Sequence, residues 1–293
     1  MFFGKRTSNA DVILLHAPSV FDFRSVPRIW GPLADVVPST PLFEMYPVGE
    51  TSLLDSLERA GYRAALVNVA NCMLSDPNYD VRREVAQMRA AIFGIDLHWL
   101  PHAAGALELA RIVKEAHPES FVVLGGLSSS YFYDEIMHNY PWVDGVLRGD
   151  STEWPMVLLA RAILEGGRLE EVPNLVFRQA VSGVPVSRRG GVRIRRNPLT
   201  HVPDSLSGIR VPAYDAVERA ALHQKSLREV MPYHEWSEYP TTMLLTVRGC
   251  TQACAICGGS PMAQRRVEGK ERQASRPWQE LLSDLESIER LSR

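Results

Sequence analysis

Three of the four cysteines in this 293-residue chain fall within eight residues of one another. Cys250, Cys254 and Cys257 stand in the run Arg248-Gly249-Cys250-Thr251-Gln252-Ala253-Cys254-Ala255-Ile256-Cys257-Gly258-Gly259, a C-x3-C-x2-C spacing. In a chain without an export signal, such clustering points to metal or redox chemistry before a structural disulfide. Three thiolates on one short loop can hold three irons of a [4Fe-4S] cube and leave the fourth without a protein ligand. An open iron can bind and reduce a small molecule. Zinc is the competing occupant, but a four-coordinate site wants a fourth ligand, for which His234 is the candidate.

The elements that must carry this loop can be read from periodicity. Residues 11–15 (DVILL) form an apolar run ending at the turn-forming His16-Ala17-Pro18-Ser19, and a long loop with prolines at 27, 32, 38, 41 and 47 follows. Leu53, Leu54, Leu57 and Ala60 then share a helical face closed by Gly61. Strands are expected at 64–69, 91–95, 121–124 and 143–147, with helices at 81–90, 109–116, 134–139 and 154–165 between and after them. Apolar strands alternating with amphipathic helices predict a parallel sheet covered on both faces, a doubly wound flavodoxin- or Rossmann-like α/β domain over residues 1–168. Ligands of such sheets sit beyond the carboxyl ends of the strands. Residues 169–240 read as a β-hairpin (175–177 and 192–194) and a connector with an amphipathic piece near 214–227. A strand at 241–247 then runs into the cysteines, and Trp278, Leu281, Leu282, Leu285, Ile288 and Leu291 mark a final helix.

Composition narrows the classes. Lys plus Arg total 32 against 34 Asp plus Glu, a formal charge of -2, so no global field draws the chain to nucleic acid or to a membrane surface. Arg188, Arg189, Arg193, Arg195 and Arg196 make the hairpin locally basic, which reads as a solvated face. No run approaches the roughly 20 apolar residues of a bilayer span. The opening MFFGKRTSNADV has no signal-peptide core, so a cytoplasmic protein is expected.

A C-x3-C-x2-C directly after a strand, preceded by Arg-Gly and followed by Gly-Gly, resembles the radical SAM superfamily, with the departure that Ile256 stands where an aromatic is frequent. The resemblance implies that Cys250, Cys254 and Cys257 ligate a [4Fe-4S] cluster whose open iron chelates S-adenosylmethionine. One electron then cleaves the cofactor to a 5′-deoxyadenosyl radical, and a flavodoxin or ferredoxin would be the reductant.

The preceding α/β domain looks like the cobalamin-binding domain of the B12-dependent members, on the stretches LLDSLERAGY, GIDLHWLPHA, VVLGGLSSS and VDGVLRGD. By that likeness Gly125, Gly126, Ser128, Ser129 and Ser130 are candidates for the nucleotide tail: glycines permit close approach and hydroxyls can bond it. Trp99 or Leu100 would pack on the corrin. Asp96-Leu97-His98 imitates a D-x-H-x-x-G cobalt-ligand motif but follows the third strand, and Pro101 stands at the glycine, so His98 reads as a neighbour and not a ligand. Gly149-Asp150 and Glu153 either cap the next helix or meet the ligand edge. Cys72 reads as a small buried hydrophobe.

Residues 241–293 supply only the first β/α unit of such a barrel, so a larger enzyme is expected. Methyl transfer to an unactivated centre of an unidentified small molecule is the activity implied. A corrinoid carrier or sensor without catalysis and a zinc-stabilised α/β protein are the rivals. A nicotinamide-binding Rossmann enzyme is disfavoured, since no G-x-G-x-x-G follows the first strand.

Overall fold

Five apolar runs become five parallel strands: β1 (Val12–His16), β2 (Ala64–Asn68), β3 (Ile92–Asp96), β4 (Phe121–Gly125) and β5 (Gly145–Leu147). The structure is a computed structural model and describes residues 9–25, 44–180, 191–210, 227–234, 236, 238, 241 and 243–291. The strand order is β2-β1-β3-β4-β5, the flavodoxin-like order, with the topological switch point between β1 and β3. There β1 and β3 pair with Val12 opposite Ile92 and Leu15 opposite Ile95. Every residue of β1 and of β3 is buried, as a strand covered on both faces requires.

Two cores flank the sheet. On one face lie α1 (Gly49–Arg59) and α7 (Glu153–Leu164), which place Leu54, Leu57, Met156, Val157 and Leu159 against Leu14, Leu66 and Val123. On the other lie α2 (Val69–Ser75), α3 (Val81–Gln87), α4 (Ala103–Ala116), α5 (Leu127–Tyr131) and α6 (Tyr133–Asn139). Their Met73, Val85, Leu109, Val113 and Ile136 meet Ile13, Leu15, Phe93 and Leu124. Each fully buried side chain of this size contributes roughly 1.5–3 kcal/mol. Caps set the ends: Asn68 accepts from the Asn71 N–H before α2, and Asp80 accepts from the Arg83 N–H before α3.

The expected hairpin is part of the same sheet. Strand β6 (Leu175–Ala180) pairs antiparallel with β5, and β7 (Val192–Arg196) pairs antiparallel with β6, making seven strands. Of the five basic residues named above, Arg193, Arg195 and Arg196 lie on β7, whereas 188 and 189 lie outside the described residues. The same holds for most of the amphipathic piece near 214–227. Its last residue opens a short helix, α8 (Leu227–Val230).

The strand expected at 241–247 is shorter than its apolar run. Only β8 (Val247–Arg248) is formed, paired antiparallel with β9 (Ala274–Ser275). Two cross-strand pairs make up its ladder, and behind them only the Arg276 N–H, donating to the Thr246 carbonyl, continues the backbone bonding among the described residues. Between β8 and β9 lies a helix that periodicity did not announce, α9 (Pro261–Glu268). Ser260 caps it, Pro261 opens it and Gly269, left-handed at φ +67°, ends it. The last helix, α10 (Trp278–Leu291), is where its stripe predicts, but Trp278, Leu282 and Leu285 are exposed.

Candidate functional site

A cavity of about 430 Å³ opens at the carboxyl ends of β1, β3 and β4, where the switch point predicts a ligand. Its floor is apolar: Leu14, Gly94, Ile95, Val123, Leu124 and Gly125. Its walls come from the first turn of α1, from His98 and Trp99, and from Gly149, Asp150 and Glu153 after β5. The cysteine-bearing segment closes it with Met243, Leu244, Leu245, Arg248, Gly249, Gln264 and Glu268. The α/β domain and the residues flanking the cysteine loop therefore face one space, and none of the three cysteines lines it.

Two ion pairs hold them together. Both terminal nitrogens of Arg248 donate to Glu153, at 2.6 and 3.0 Å, and Glu153 also accepts from the Ser52 hydroxyl at 2.7 Å. Burial depresses the basicity of Arg248, but Glu153 more than offsets it and the net shift is upward. Lys270, buried, donates to Asp150 at 2.5 Å. Of the two roles left open for Gly149-Asp150 and Glu153, capping is not seen: Thr152 is the N-cap of α7, without a side-chain bond, and Glu153 is its first residue. All three line the cavity, and Asp150 and Glu153 also anchor the cysteine segment.

Buried acids line the same space. Desolvation, and then the negative charge of Asp150, raise the Glu268 carboxyl to about 8. Glu50 is pushed well above the usual carboxylate range, by desolvation first and Asp96 second. Glu50 therefore sets a polar edge in an otherwise largely apolar wall.

The glycine loop after β4 is built as its composition implies. Gly126 sits at φ +105°, and a Cβ there would lie 2.8 Å from the backbone of Leu97 and His98. The close approach lets Leu97 N–H donate to Gly125 and Ser129 N–H donate to Leu97. Gly125 differs: a Cβ built on it meets nothing within 4 Å, because it would enter the cavity. The Ser128 hydroxyl donates to the His98 carbonyl, and those of Ser129 and Ser130 donate to the Gly126 carbonyl. None of the three serines lines the cavity, whereas Gly125, Gly126 and Trp99 do. Leu100, the alternative to Trp99, points to solvent at 54% exposure. His98 lines the cavity, and burial lowers its basicity, as suits a neutral wall residue.

Cys250 is half-buried and Cys254 and Cys257 are exposed, all three as free thiols. Gln252 N–H points at the Cys250 sulfur (3.3 Å) and Gly259 N–H at that of Cys257 (3.4 Å). Backbone donors to sulfur tune thiolate-bound iron, so the donor set fits an iron–sulfur cluster. Cys72 is buried as expected. Among the described residues, the one group of three donors drawn within 4.8 Å of one another contains neither a cysteine nor His234. It is His16, Glu44 and His102.

Sequence reasoning missed that group. The run taken as a turn after the first strand instead extends β1 through His16, which is fully buried with Nδ1 2.8 Å from Asp96 Oδ1. Burial opposes charge on this imidazole, but Asp96 and Glu44 outweigh it and raise its pKa. Polar residues ending the first and third strands were the available signal, since these strands are neighbours at the switch point.

Residues 35–158, within the α/β unit, match the family model of the B12 binding domain. Across nearly the whole chain the fold is similar to that of two solved structures. The radical S-adenosylmethionine methyltransferase TsrM of Kitasatospora setae, solved with cobalamin and a [4Fe-4S] cluster bound, aligns over 95% of this chain and 46% of its own, with a TM-score of 0.58 at 16% identity. The cobalamin-dependent S-adenosylmethionine radical enzyme OxsB, solved with aqua-cobalamin, aligns over 96% and 32%, with a TM-score of 0.55 at 13% identity. In sequence, the hopanoid C-3 methylase of Methylococcus capsulatus is 28% identical over 44% of this chain and 24% of its own length. The anaerobic magnesium-protoporphyrin IX monomethyl ester cyclase of Rubrivivax gelatinosus is 25% identical over 69% and 32%. The chain thus spans about a quarter to a third of these two relatives. No helix among the described residues is long and apolar enough to cross a membrane.

Proposed function

We propose that this chain binds cobalamin in the cavity and a [4Fe-4S] cluster on Cys250, Cys254 and Cys257, and that it serves radical methyl transfer from S-adenosylmethionine to an unactivated centre. The observation that carries the reading is the shared space: the apolar floor at the switch point and the cysteine segment enclose one cavity. When bound, the cluster supplies the electron that cleaves S-adenosylmethionine and cobalamin supplies the methyl group.

The chain's own residues then have definite work. Gly125 leaves the room that a flat ring needs, and Trp99 and His98 wall it. Glu50 offers a hydrogen-bonding edge to peripheral amides. Gly126, with Ser128, Ser129 and Ser130, shapes the turn beside which a nucleotide tail can run. The Arg248–Glu153 pair fixes the cysteine loop over the cavity mouth. The substrate is a small molecule, and a flavodoxin- or ferredoxin-like donor supplies the electron.

Anaerobic reconstitution with iron and sulfide, followed by gel filtration and absorbance, tests the cluster. The expected result is a broad shoulder in the blue that dithionite bleaches, abolished by Cys254→Ala. A colourless protein retaining one zinc ion on the same cysteines would contradict it.

A further inference from the structure

Away from the cysteines, the geometry points to a second metal centre. We propose that His16, Glu44 and His102 bind one divalent ion of the zinc class. Two imidazoles and a carboxylate are a donor set suited to such ions. The three donors lie within 4.8 Å of one another, and their side chains are 0%, 0% and 1% exposed. His102 Nε2 and Glu44 Oε2 stand 3.6 Å apart, too far for a hydrogen bond. A tetrahedral zinc with bonds of roughly 2.1 Å sets its donors about 3.4 Å apart. The gap therefore matches the spacing of two ligands on one such ion.

The surroundings are those of a held site. Asp96 Oδ1 takes up His16 Nδ1 at 2.8 Å, which fixes the ring and leaves Nε2, a buried atom without a hydrogen-bond partner, as the nitrogen to face an ion. A carboxylate behind a metal-binding imidazole is the usual support for such a ligand. Glu44 is held from the far side by the Ser19 N–H and the Ser19 hydroxyl, the latter at 2.7 Å. The His16 and His102 rings lie 5.2 Å apart between centroids.

Three segments distant in sequence meet here: the end of β1, residue 44 and the turn into α4. Asp96 also lines the cavity, so the ion would brace the cavity wall from behind. With its donors shut off from solvent, it acts as a clamp and not as a substrate site. The proposal rests on these side chains and not on the cobalamin reading.

The test uses the full chain carrying Cys250→Ser, Cys254→Ser and Cys257→Ser, so that no loop thiolate competes. The protein is stripped with chelator and titrated with Zn2+ or Co2+ alone, without corrinoid or iron. The expected result is one ion per chain, a higher Tm, and cobalt absorption bands without thiolate charge transfer. Adding Glu44→Gln or His102→Gln should weaken binding by at least the roughly 10- to 100-fold that loss of an outer-shell partner costs. A folded, stripped protein that takes up no ion, or that binds equally well with both substitutions, overturns the proposal. Should those variants fail to fold, the X-ray absorption fine structure of bound zinc decides. Two imidazoles with oxygen support the site, and a sulfur-bearing or imidazole-free shell overturns it.

Discussion

Arg248, two residues before the first cysteine of the loop, meets Glu153 across 95 residues of chain with two parallel hydrogen bonds of 2.6 and 3.0 Å. The pair is nearly closed to solvent, at 11% and 8% exposure. One side belongs to the flavodoxin-like domain and the other to the cysteine segment, so their mutual position depends on a charge pair that neither half can satisfy alone. Breaking a buried pair from one side leaves the other charge uncompensated, which costs about 3–5 kcal/mol.

Arg248→Met is therefore expected to lower stability by about 3 kcal/mol, less to the extent that the Ser52 hydroxyl still serves Glu153. Adding Glu153→Gln removes the stranded charge and should restore part of that loss. A urea-denaturation cycle over the four variants measures the coupling. Additive effects would mean that the pair does not join the two parts.

Glu268 gives a pH dependence of defined sign. Its carboxyl is raised from 4.5 to about 8 in the folded chain, chiefly by desolvation and next by Asp150. The unfolded chain releases this proton first, so the folded state binds more protons through the window between those values. Stability from this group is complete at low pH and declines as pH rises from about 4.5 to about 8. Glu268→Gln should flatten the decline across that window, as thermal melts at several pH values would show. An unchanged slope would place the titrating group elsewhere.

Gly105, in the first turn of α4, touches the loop after β1. A Cβ there would lie 1.7 Å from the Pro18 carbonyl oxygen. Gly105→Ala is expected to cost about 3 kcal/mol, the upper end for overpacking, by prising apart the segments that carry Ser19 and His102. Differential scanning calorimetry checks it, and a Tm within a degree or so of wild type would show that the contact yields freely.

The sheet was legible because strands buried on both faces must be unbroken apolar runs; β1, β3 and β4 each fall within two residues of the expected bounds. The glycine turn was legible too, for Gly126 has the positive φ that glycine tolerates. What pattern could not carry was long-range pairing. His16 and Asp96 are 80 residues apart and look like turn and loop residues until strand order makes them neighbours. Arg248 and Glu153 are hidden for the same reason. The serines of the 128–130 run were singled out for their hydroxyls, but in the structure those hydroxyls bond backbone carbonyls, that of His98 for Ser128 and that of Gly126 for Ser129 and Ser130. The strand at 241–247 was overestimated because an apolar run signals propensity, while ladder length depends on the neighbouring strand.

The central claim is that the cavity at the switch point receives cobalamin, and Gly125 allows a direct test. A Cβ built there meets no protein atom within 4 Å and enters the cavity, so Gly125→Trp should keep the fold and fill that space. Hydroxocobalamin is titrated into wild type and variant, with circular dichroism as the check on folding. One equivalent bound by wild type, and binding at least tenfold weaker in the variant, is the predicted result. A folded wild type that retains no corrin, or a variant that binds it equally well, would contradict the assignment.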